Sequence, residues 1–381
     1  MKRVKEIRVG IKTNGKPRLG KEEGVTILEN MLIGDGFHWE KEISAILPGK
    51  VEPYCHHDTN SENSELCSDN HCKISLINSL PLETYLECVV GSEMNPSAPI
   101  EFLKAHAVIS RSWAMGKILD IHPKSCEDKI NSSNTLIGWD DTASHSGFHV
   151  CSDDHCQRYQ GVQSITRVAL NAIRETEGEV LVSPSGKLVD ARFSKCCGGT
   201  TETFSTCWQT MEMECLESIK DPWCDLSNLN SQNRQLLLSS ILKDYDLTTN
   251  GYGFSWEQEI LKSEIEKYLF QHFGRNVGRI EKLTPIYRGP SGRIHLLRIE
   301  GSDGYLDIGK ELWIRRILSP SHLYSSAFQI EDKGDKIRLI GKGWGHGVGL
   351  CQIGAANMAL NGKTYHEILE FYYPGAKIKR V

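Results

Sequence analysis

The stretch Leu82-Glu83-Thr84-Tyr85-Leu86-Glu87-Cys88-Val89-Val90-Gly91-Ser92-Glu93-Met94 carries the clearest structural pattern of this chain. Its apolar members at helical spacing are Leu82, Tyr85, Leu86, Val89 and Val90. Apolar side chains three and four positions apart share one face of a helix, so the pattern predicts a helix that ends near Glu93. Pro96 and Pro99 then favour a loop, and a second apolar pattern predicts a helix over about 100–119.

Two cations in the second predicted helix bear on Glu93. Lys104 and Arg111 are two helical turns apart, so they lie on one face of that helix. A carboxylate opposite two cations can bind a polar substrate and change its protonation state. A cluster of surface salt bridges is the alternative explanation, and from spacing alone it is the commoner outcome.

Outward from this helix pair, strand patterns alternate with helix patterns, which predicts a mixed α+β fold. Residues 1–75 form one predicted domain, a strand-rich segment with a Cys/His-rich insertion at 54–73. Residues 76–381 form the other, with an insertion around 209–255. In this region we predict a helix-containing core, a smaller strand-rich portion and a cleft between them. Further predicted helices cover 165–175, 259–273, 351–361 and 364–373, and further predicted strands cover 283–288, 294–300 and 336–341.

The composition excludes some classes of protein. With 39% hydrophobic and 24% charged residues among 381, the chain is typical of a globular protein. Its formal net charge of −5 argues against a nucleic-acid partner, which favours a basic surface, but is compatible with an uncharged polar substrate. The sequence has no apolar run of bilayer-spanning length. Residues 1–11 include basic residues but no apolar stretch behind them, so we expect no export signal or anchor in this chain.

A glycine-rich stretch near the C-terminus is a second candidate for a ligand site. Gly341-Lys342-Gly343-Trp344-Gly345-His346-Gly347-Val348-Gly349-Leu350-Cys351-Gln352 has five glycines in nine residues, which predicts a loop that lets the backbone approach a ligand. Trp344 offers a flat apolar face on which a sugar ring can pack, whereas His346 could be structural. The stretch matches neither nucleotide-binding glycine motif, so we do not expect a nucleotide.

A polar loop after a predicted strand is the third candidate. Phe193-Ser194-Lys195-Cys196-Cys197-Gly198-Gly199-Thr200-Thr201-Glu202-Thr203 follows apolar residues at 189–193. Loops that follow strands often carry substrate contacts. A turn held by a disulfide is the alternative.

The helix pair, the Phe193–Thr203 loop and the Gly341–Gln352 loop, in this order, resemble the stage II sporulation protein D family, which includes the amidase enhancers. The resemblance covers roughly residues 75–381 and is looser before them. It extends through three further stretches, Gly289-Pro290-Ser291-Gly292-Arg293, Trp313-Ile314-Arg315-Arg316-Ile317-Leu318 and Phe371-Tyr372-Tyr373-Pro374-Gly375.

The resemblance implies a lytic transglycosylase that cleaves MurNAc–GlcNAc bonds of peptide-stripped peptidoglycan glycan strands and leaves 1,6-anhydroMurNAc ends. It implies that Glu93 is the catalytic glutamate. A single carboxyl group suffices, because it can protonate the leaving glycosidic oxygen and then take the proton of the sugar's own C6 hydroxyl. A hydrolase needs a second carboxylate, for which Asp190 and Glu202 are the candidates.

The resemblance also implies substrate contacts, partners and a location. Lys104 and Arg111 are expected to bind the glycan, and Ser194, Trp344 and His346 are expected to line a catalytic cleft. The expected partners are glycan strands and a cell-wall amidase, and the expected location is the cell envelope, outside the cytoplasm. Two other functions stay open: a non-catalytic glycan-binding activator of an amidase, and a zinc-stabilised scaffold of a cell-envelope complex.

The segment His145-Ser146-Gly147-Phe148-His149-Val150-Cys151-Ser152-Asp153-Asp154-His155-Cys156 holds three histidines and two cysteines. Zinc takes four nitrogen or sulfur ligands, which such a segment can supply, and some members of the resembled family carry zinc here. We predict a closed, structural zinc site of His145, Cys151, His155 and Cys156, with His149 as the alternative to His145. A Cys151–Cys156 disulfide is the competing explanation.

Ten of the eleven remaining cysteines divide into three groups. Cys55, Cys67, His71 and Cys72, with His56 or His57 in reserve, make a possible second zinc site in the 54–73 insertion. Five cysteines without nearby histidines fit disulfides in an oxidising compartment: Cys196, Cys197, Cys207, Cys215 and Cys224. Cys88 and Cys351 lie in apolar helical contexts and are expected to be buried.

Overall fold

Both helices predicted from the apolar pattern are present at the expected positions in the computed structural model. Helix α1 spans Leu82–Glu93 and helix α2 spans Ile100–Ile118. Pro81 precedes α1 and Pro99 precedes α2, each with φ of −58°, a value that the proline ring imposes and that suits entry into a helix. Glu93 is the last residue of α1, as the pattern predicted.

The structure describes residues 6–35, 40–54, 74–95, 98–121, 129–139, 145–153, 156–242, 254–321 and 323–381. Its further helices are α3 (Arg167–Glu175), α4 (Phe204–Cys207), α5 (Ser231–Ile241), α6 (Lys262–Phe273), α7 (Glu311–Ile317), α8 (Gln352–Leu360) and α9 (Tyr365–Tyr372). Its strands are β1 (Glu6–Lys12), β2 (Leu19–Glu22), β3 (Val25–Ile33), β4 (Lys41–Pro48), β5 (Lys50–Pro53), β6 (Ile74–Pro81), β7 (Ile130–Asn131), β8 (Thr135–Ile137), β9 (Val150–Cys151), β10 (Glu179–Val182), β11 (Phe193–Ser194), β12 (Ser255–Leu261), β13 (Ile280–Arg288), β14 (Ile294–Gly301), β15 (Gly304–Gly309), β16 (Phe328–Asp332), β17 (Lys336–Lys342), β18 (Leu350–Cys351) and β19 (Lys377–Arg380). The mixed α+β prediction is confirmed. No helix in the ranges given is both long and apolar enough to cross a bilayer.

The N-terminal residues share a sheet with residues much later in the chain. Strand β1 pairs antiparallel with β6 and parallel with β9, in the order β5-β6-β1-β9. The domain boundary predicted between residues 75 and 76 therefore runs through β6. A second, antiparallel sheet has the order β2-β3-β4. Of the predicted insertion at 54–73, only Tyr54 is among the described residues.

The predicted strand-rich portion consists of two sheets. One has the order β13-β14-β15-β8-β7 and the other has the order β12-β17-β16. Residues of both sheets and of α6 and α7 share one hydrophobic core, which includes Leu297, Leu339 and Ile314. The helix predicted over 259–273 begins only at Lys262, because Ser255–Leu261 pairs along β17 as a strand.

Helix α1 is buried between two hydrophobic cores, which explains its rigid placement. Tyr85 and Val89 belong to the core beneath the N-terminal sheets. Val90 and Met94 belong to the core formed with α2, α8 and α9. Because apolar contacts flank the helix on both sides, the position of its last residue, Glu93, is fixed by packing.

The predicted insertion around 209–255 contributes to the second of these cores. Its residues Cys215 and Leu216 are buried there, and so are Leu237 and Ile241 of α5. The described part of this segment is therefore packed against the helices and is not a peripheral loop.

An ion pair between α1 and α2 is buried at their interface. Arg111 on α2, whose side chain is 1% exposed, donates from Nε and Nη2 to the two carboxylate oxygens of Glu83 at 2.8 Å each. Its Nη1 donates to the backbone oxygen of Glu179 at 3.0 Å, which adds β10 to the contact. A buried guanidinium needs such partners because an unpaired buried charge is costly.

Replacing Glu83 with glutamine should destabilise the protein by about 2–3 kcal/mol, because it leaves the buried guanidinium of Arg111 without its anion. The cost stays below that of a fully buried pair, since the Glu83 side chain is 34% exposed. Glu257→Gln is the matched control: Glu257 makes the same two-point contact with Arg338, but the two side chains are 50% and 34% exposed. That control should cost less than about 1 kcal/mol. Urea unfolding measures both, and equal losses would contradict the expectation.

Candidate active site and metal-binding groups

The carboxyl group of Glu93 is held at the end of α1. The residue is 8% exposed, and its Oε1 accepts a hydrogen bond from the backbone N–H of Arg158 at 2.9 Å. The chain leaves the helix at Met94 with extended backbone, φ −111° and ψ 150°. The catalytic candidate is thus a mostly buried carboxylate on a rigid element, with one oxygen oriented by a backbone donor.

A five-residue segment, Cys156–Gln160, is attached to this end of α1 at several points, and we call it the strap. Besides the Arg158 bond, Gln160 N donates to Ser92 Oγ at 3.1 Å. The hydroxyl of Tyr85 donates to Gln157 Oε1 at 3.1 Å. The ring of Tyr159 stacks on that of Tyr85 with centroids 5.7 Å apart. The strap therefore forms part of the surroundings of Glu93.

The strap begins at one of the predicted metal ligands. His145, Cys151 and Cys156 place their ligand atoms within 4.8 Å of one another. The Sγ of Cys156 lies 3.9 Å from Nε2 of His145. These three residues could therefore bind a metal ion. The group lies near Glu93, because Cys156, Cys151 and Glu93 all act on the hydroxyl of Tyr85. Burial raises the pKa of Tyr85 well above its usual value, and the negative charges of these three residues raise it further.

The orientation of His145 suits a ligand better than that of His149. His145 Nδ1 donates to the backbone oxygen of His149 at 3.2 Å, which leaves Nε2 directed at Cys156. Metal-binding histidines commonly donate their second ring N–H to a carbonyl in this way. His149 Nδ1 accepts from the backbone N–H of Arg8 at 2.9 Å. His155 and the second predicted group, Cys55, Cys67, His71 and Cys72, lie outside the described residues.

The structure brings the two predicted loops together. Strand β11 runs parallel to β18, with Ser194 opposite Cys351. Separately from this pairing, Cys196 and Trp344 form an antiparallel bridge with two backbone hydrogen bonds of 3.0 and 2.7 Å. Ser194 is 6% exposed, and its buried hydroxyl has no hydrogen-bond partner among the described residues. Ser194 and Trp344 thus lie in one assembly although 150 residues separate them in the sequence.

The centre of this assembly is Arg293, which the sequence interpretation missed. Its side chain is fully buried, and its guanidinium donates to the backbone oxygens of Cys197 at 3.1 Å and Gly345 at 3.0 Å and to Ser291 Oγ at 2.9 Å. An added Cβ at Gly343 or Gly347 would lie 2.6 or 2.5 Å from this guanidinium. The glycine-rich loop therefore makes room for an arginine of the protein itself. The only sequence signal was its place in the Gly289–Arg293 stretch.

His346 is engaged within the protein. Its Nδ1 accepts from the N–H of Val348 at 3.0 Å, and its ring meets that of Trp208 edge-on at 4.9 Å. Burial lowers the pKa of His346 well below its usual value, and Arg192 and Arg293 lower it further. A neutral ring with these contacts packs the loop. Trp344, the other aromatic residue of the loop, contacts Tyr324 edge-on at 5.5 Å.

The two carboxylates considered as partners for hydrolysis contact other groups of the protein. Asp190 forms an ion pair with Arg192 at 2.9 Å. Glu202 is completely buried, and its carboxylate accepts from Ser291 Oγ at 2.6 Å and from the N–H of Thr203 at 2.8 Å. Both carboxylates therefore have partners within the protein.

The predicted substrate cations have carboxylate partners other than Glu93. Lys104 lies 2.8 Å from Glu101 and 2.7 Å from Glu175. All the side-chain nitrogens of Arg111 are bound to Glu83 and Glu179, as described above. The pairing that helical spacing suggested, two cations opposite Glu93, is replaced by these contacts.

The expected disulfides are not present in the described part of the chain. The expectation was wrong for Cys196, Cys197, Cys207, Cys215 and Cys224, which are all buried thiols. Cys88 and Cys351 are fully buried, as predicted. Cys351 is more than a packing residue, because Cys197, Asp221, Cys224 and Cys351 form a second group whose ligand atoms lie within 4.8 Å of one another.

Comparisons with known proteins show what the chain is similar to. The family described as Stage II sporulation protein matches residues 60–182, which include α1, α2 and the strap, and a domain of unknown function (DUF8618) matches residues 202–349. An uncharacterized protein of Brachyspira hyodysenteriae is 28% identical over 80% of this chain and 68% of its own length.

Two relatives from Bacillus subtilis carry functional names. Stage II sporulation protein D is 25% identical over 79% of this chain and 75% of its own length. The amidase enhancer is 22% identical over 77% of this chain but only 40% of its own length. With the family match over residues 60–182, around Glu93, and relatives that cover most of the chain, the protein is similar to the stage II sporulation protein D family.

Proposed function

We propose that the protein is a peptidoglycan lytic transglycosylase that uses Glu93 as its single general acid and base. The observation that carries the proposal is the geometry of Glu93: a mostly buried carboxylate at the end of α1, with Oε1 fixed by the N–H of Arg158. A proton-transferring group needs a fixed position relative to its substrate, and a helix end between two cores supplies it.

The reaction needs no water. Protonated Glu93 donates its proton to the glycosidic oxygen, O4 of GlcNAc, as the bond between MurNAc C1 and this oxygen breaks. The resulting carboxylate takes the proton of the MurNAc C6 hydroxyl while O6 bonds to C1, which closes the 1,6-anhydro ring and restores the acid. A hydrogen bond from Arg158 N stabilises the carboxylate between the two steps.

Hydrolysis is less well supported than ring closure. It requires a second carboxyl group beside the scissile bond. The candidates for that role, Asp190 and Glu202, are tied to Arg192 and to Ser291 and Thr203. Lys104 and Arg111 have no part in the proposal, because their contacts lie with other carboxylates.

We further propose zinc as the ion at His145, Cys151 and Cys156, with His155 as its fourth ligand. Two thiols, an imidazole and the carbonyl that orients it match the ligand chemistry of a closed structural zinc site. Such an ion cross-links the start of the strap to the N-terminal sheet, since Cys151 lies in β9 and Cys156 begins the strap. Its effect on Glu93 is indirect, through the position of Arg158.

A catalytic cleft between the helical core and the strand-rich portion, with Ser194, Trp344 and His346 on its wall, stays a prediction. Glycan strands as substrate, a cell-wall amidase as partner and a location in the cell envelope belong to the same proposal. The second candidate function is a glycan-binding activator of an amidase. It is favoured by the similarity to the amidase enhancer.

Glu93→Gln should reduce the release of anhydro-muropeptides from peptide-free glycan strands by at least about 100-fold, because an amide cannot exchange the proton. Mass analysis of the products measures this loss, and co-sedimentation with glycan strands should show unchanged binding. Glu87→Gln, the same substitution on a partly exposed residue of α1, is the control and should leave the rate unchanged.

Three outcomes would contradict the proposal. An active Glu93→Gln variant removes Glu93 from the mechanism. Products with reducing MurNAc ends identify a hydrolase. Glycan binding without cleavage by the unaltered protein favours the activator function.

The zinc prediction is tested by metal content. Cys151→Ser should lower bound zinc by about one ion per chain, since it removes one of the four ligands. Cys215→Ser is the control, because Cys215 is buried but belongs to neither metal-binding group. Equal zinc in both variants, or a Cys151–Cys156 disulfide detected by mass analysis of freshly purified protein, would refute the site.

A further inference from the structure

A second group of metal-binding side chains is buried far along the chain from the first. Cys197 lies in the loop after β11, Asp221 and Cys224 lie in the segment before α5, and Cys351 caps the N-terminus of α8. These four residues are at most 1% exposed, and their ligand atoms lie within 4.8 Å of one another. Three separate segments thus converge on one point inside the helical core.

Within the group, the thiols and the carboxylate contact one another, as metal ligands do when no ion lies between them. Cys197 Sγ lies 3.2 Å from Asp221 Oδ2, and Cys351 Sγ accepts from the N–H of Cys197 at 3.3 Å. The sulfur of Cys224 lies against those of Cys197 and Cys351 and is 3.4 Å from that of Cys196. A disulfide joins two sulfurs only, so it would leave the other thiols and the carboxylate buried together.

The carboxylate of Asp221 is a second and independent indication of a cation. It is 1% exposed, and its partners among the described residues are uncharged: the N–H groups of Trp223 at 3.0 Å and Cys224 at 3.2 Å, the thiol of Cys197 and the hydroxyl of Tyr372 at 2.9 Å. A buried carboxylate normally pairs with a basic side chain or a metal ion. Here one of the partners is the thiol of Cys197, which is itself a metal ligand.

We propose that Cys197, Cys224 and Cys351, as thiolates, and Asp221 bind a zinc ion in a closed structural site. Three sulfurs and one carboxylate oxygen in a compact, buried arrangement match the tetrahedral preference of zinc. Binding releases the protons of the three thiols. The ion fastens the loop that follows Ser194 to the start of α8 and to the 221–224 turn. This site is independent of the proposed reaction and of the ion at Cys151 and Cys156.

The test compares zinc content in purified full-length variants. In the unaltered protein, the two groups among the described residues should together hold about two zinc ions per chain. Cys224→Ser and the isosteric Asp221→Asn should each lose about one ion, whereas Cys215→Ser should lose none. Circular dichroism confirms folding, and Asp221→Asn keeps the test valid if Cys224→Ser fails to fold.

X-ray absorption of the zinc in the Cys151→Ser variant examines the site of Cys197, Asp221, Cys224 and Cys351 without the ion at Cys151 and Cys156. The expected first shell is rich in sulfur, with Zn–S distances of about 2.3 Å and one oxygen ligand. Unchanged zinc content in both Cys224→Ser and Asp221→Asn would overturn the site, as would a disulfide among these cysteines in freshly purified protein. Loss of the ion in Cys196→Ser but not in Asp221→Asn would overturn the ligand set, and iron in place of zinc would overturn the metal.

Discussion

The buried guanidinium of Arg293 is the contact on which the arrangement of the loops depends. It donates to backbone oxygens of Cys196, Cys197 and Gly345 and to the hydroxyl of Ser291, so it joins the loop after β11, the glycine-rich loop and the turn before β14. A charge in this position is tolerable only because its hydrogen-bonding capacity is used. The loops that carry Ser194 and Trp344 are therefore held together by the protein's own electrostatics.

A different device positions Glu93. Helix α1 lies between two hydrophobic cores, and the strap crosses its end with a hydrogen bond from Arg158 to the carboxylate. The strap begins at Cys156, one of the three residues that could bind a metal ion. Packing fixes the helix and the strap contacts its last residue, so two different restraints act on Glu93.

The α2 helix connects these two regions. The ring of His106 on α2 lies 4.6 Å from that of Phe193, next to Ser194, and α1 packs on the same helix. Burial and, to a smaller extent, the charge of Lys195 lower the pKa of His106 to about 3, so the ring is neutral and serves as a packing surface. The helix that bears Glu93 and the Ser194 loop thus both contact α2.

The sequence by itself determined the elements whose pattern is local: α1, α2, most of the later helices and strands, and the place of Glu93 at a helix end. Periodicity is a property of neighbouring residues, so it can be read without knowing the fold. Only the tertiary structure decided which charged and metal-binding side chains contact one another. Helical spacing put Arg111 opposite Glu93, yet its anion is Glu83. The thiol group around Asp221 and the burial of Arg293 each depend on residues that are far apart in the chain and meet in space. Spacing along the sequence does not show which distant groups will satisfy a buried charge or thiol.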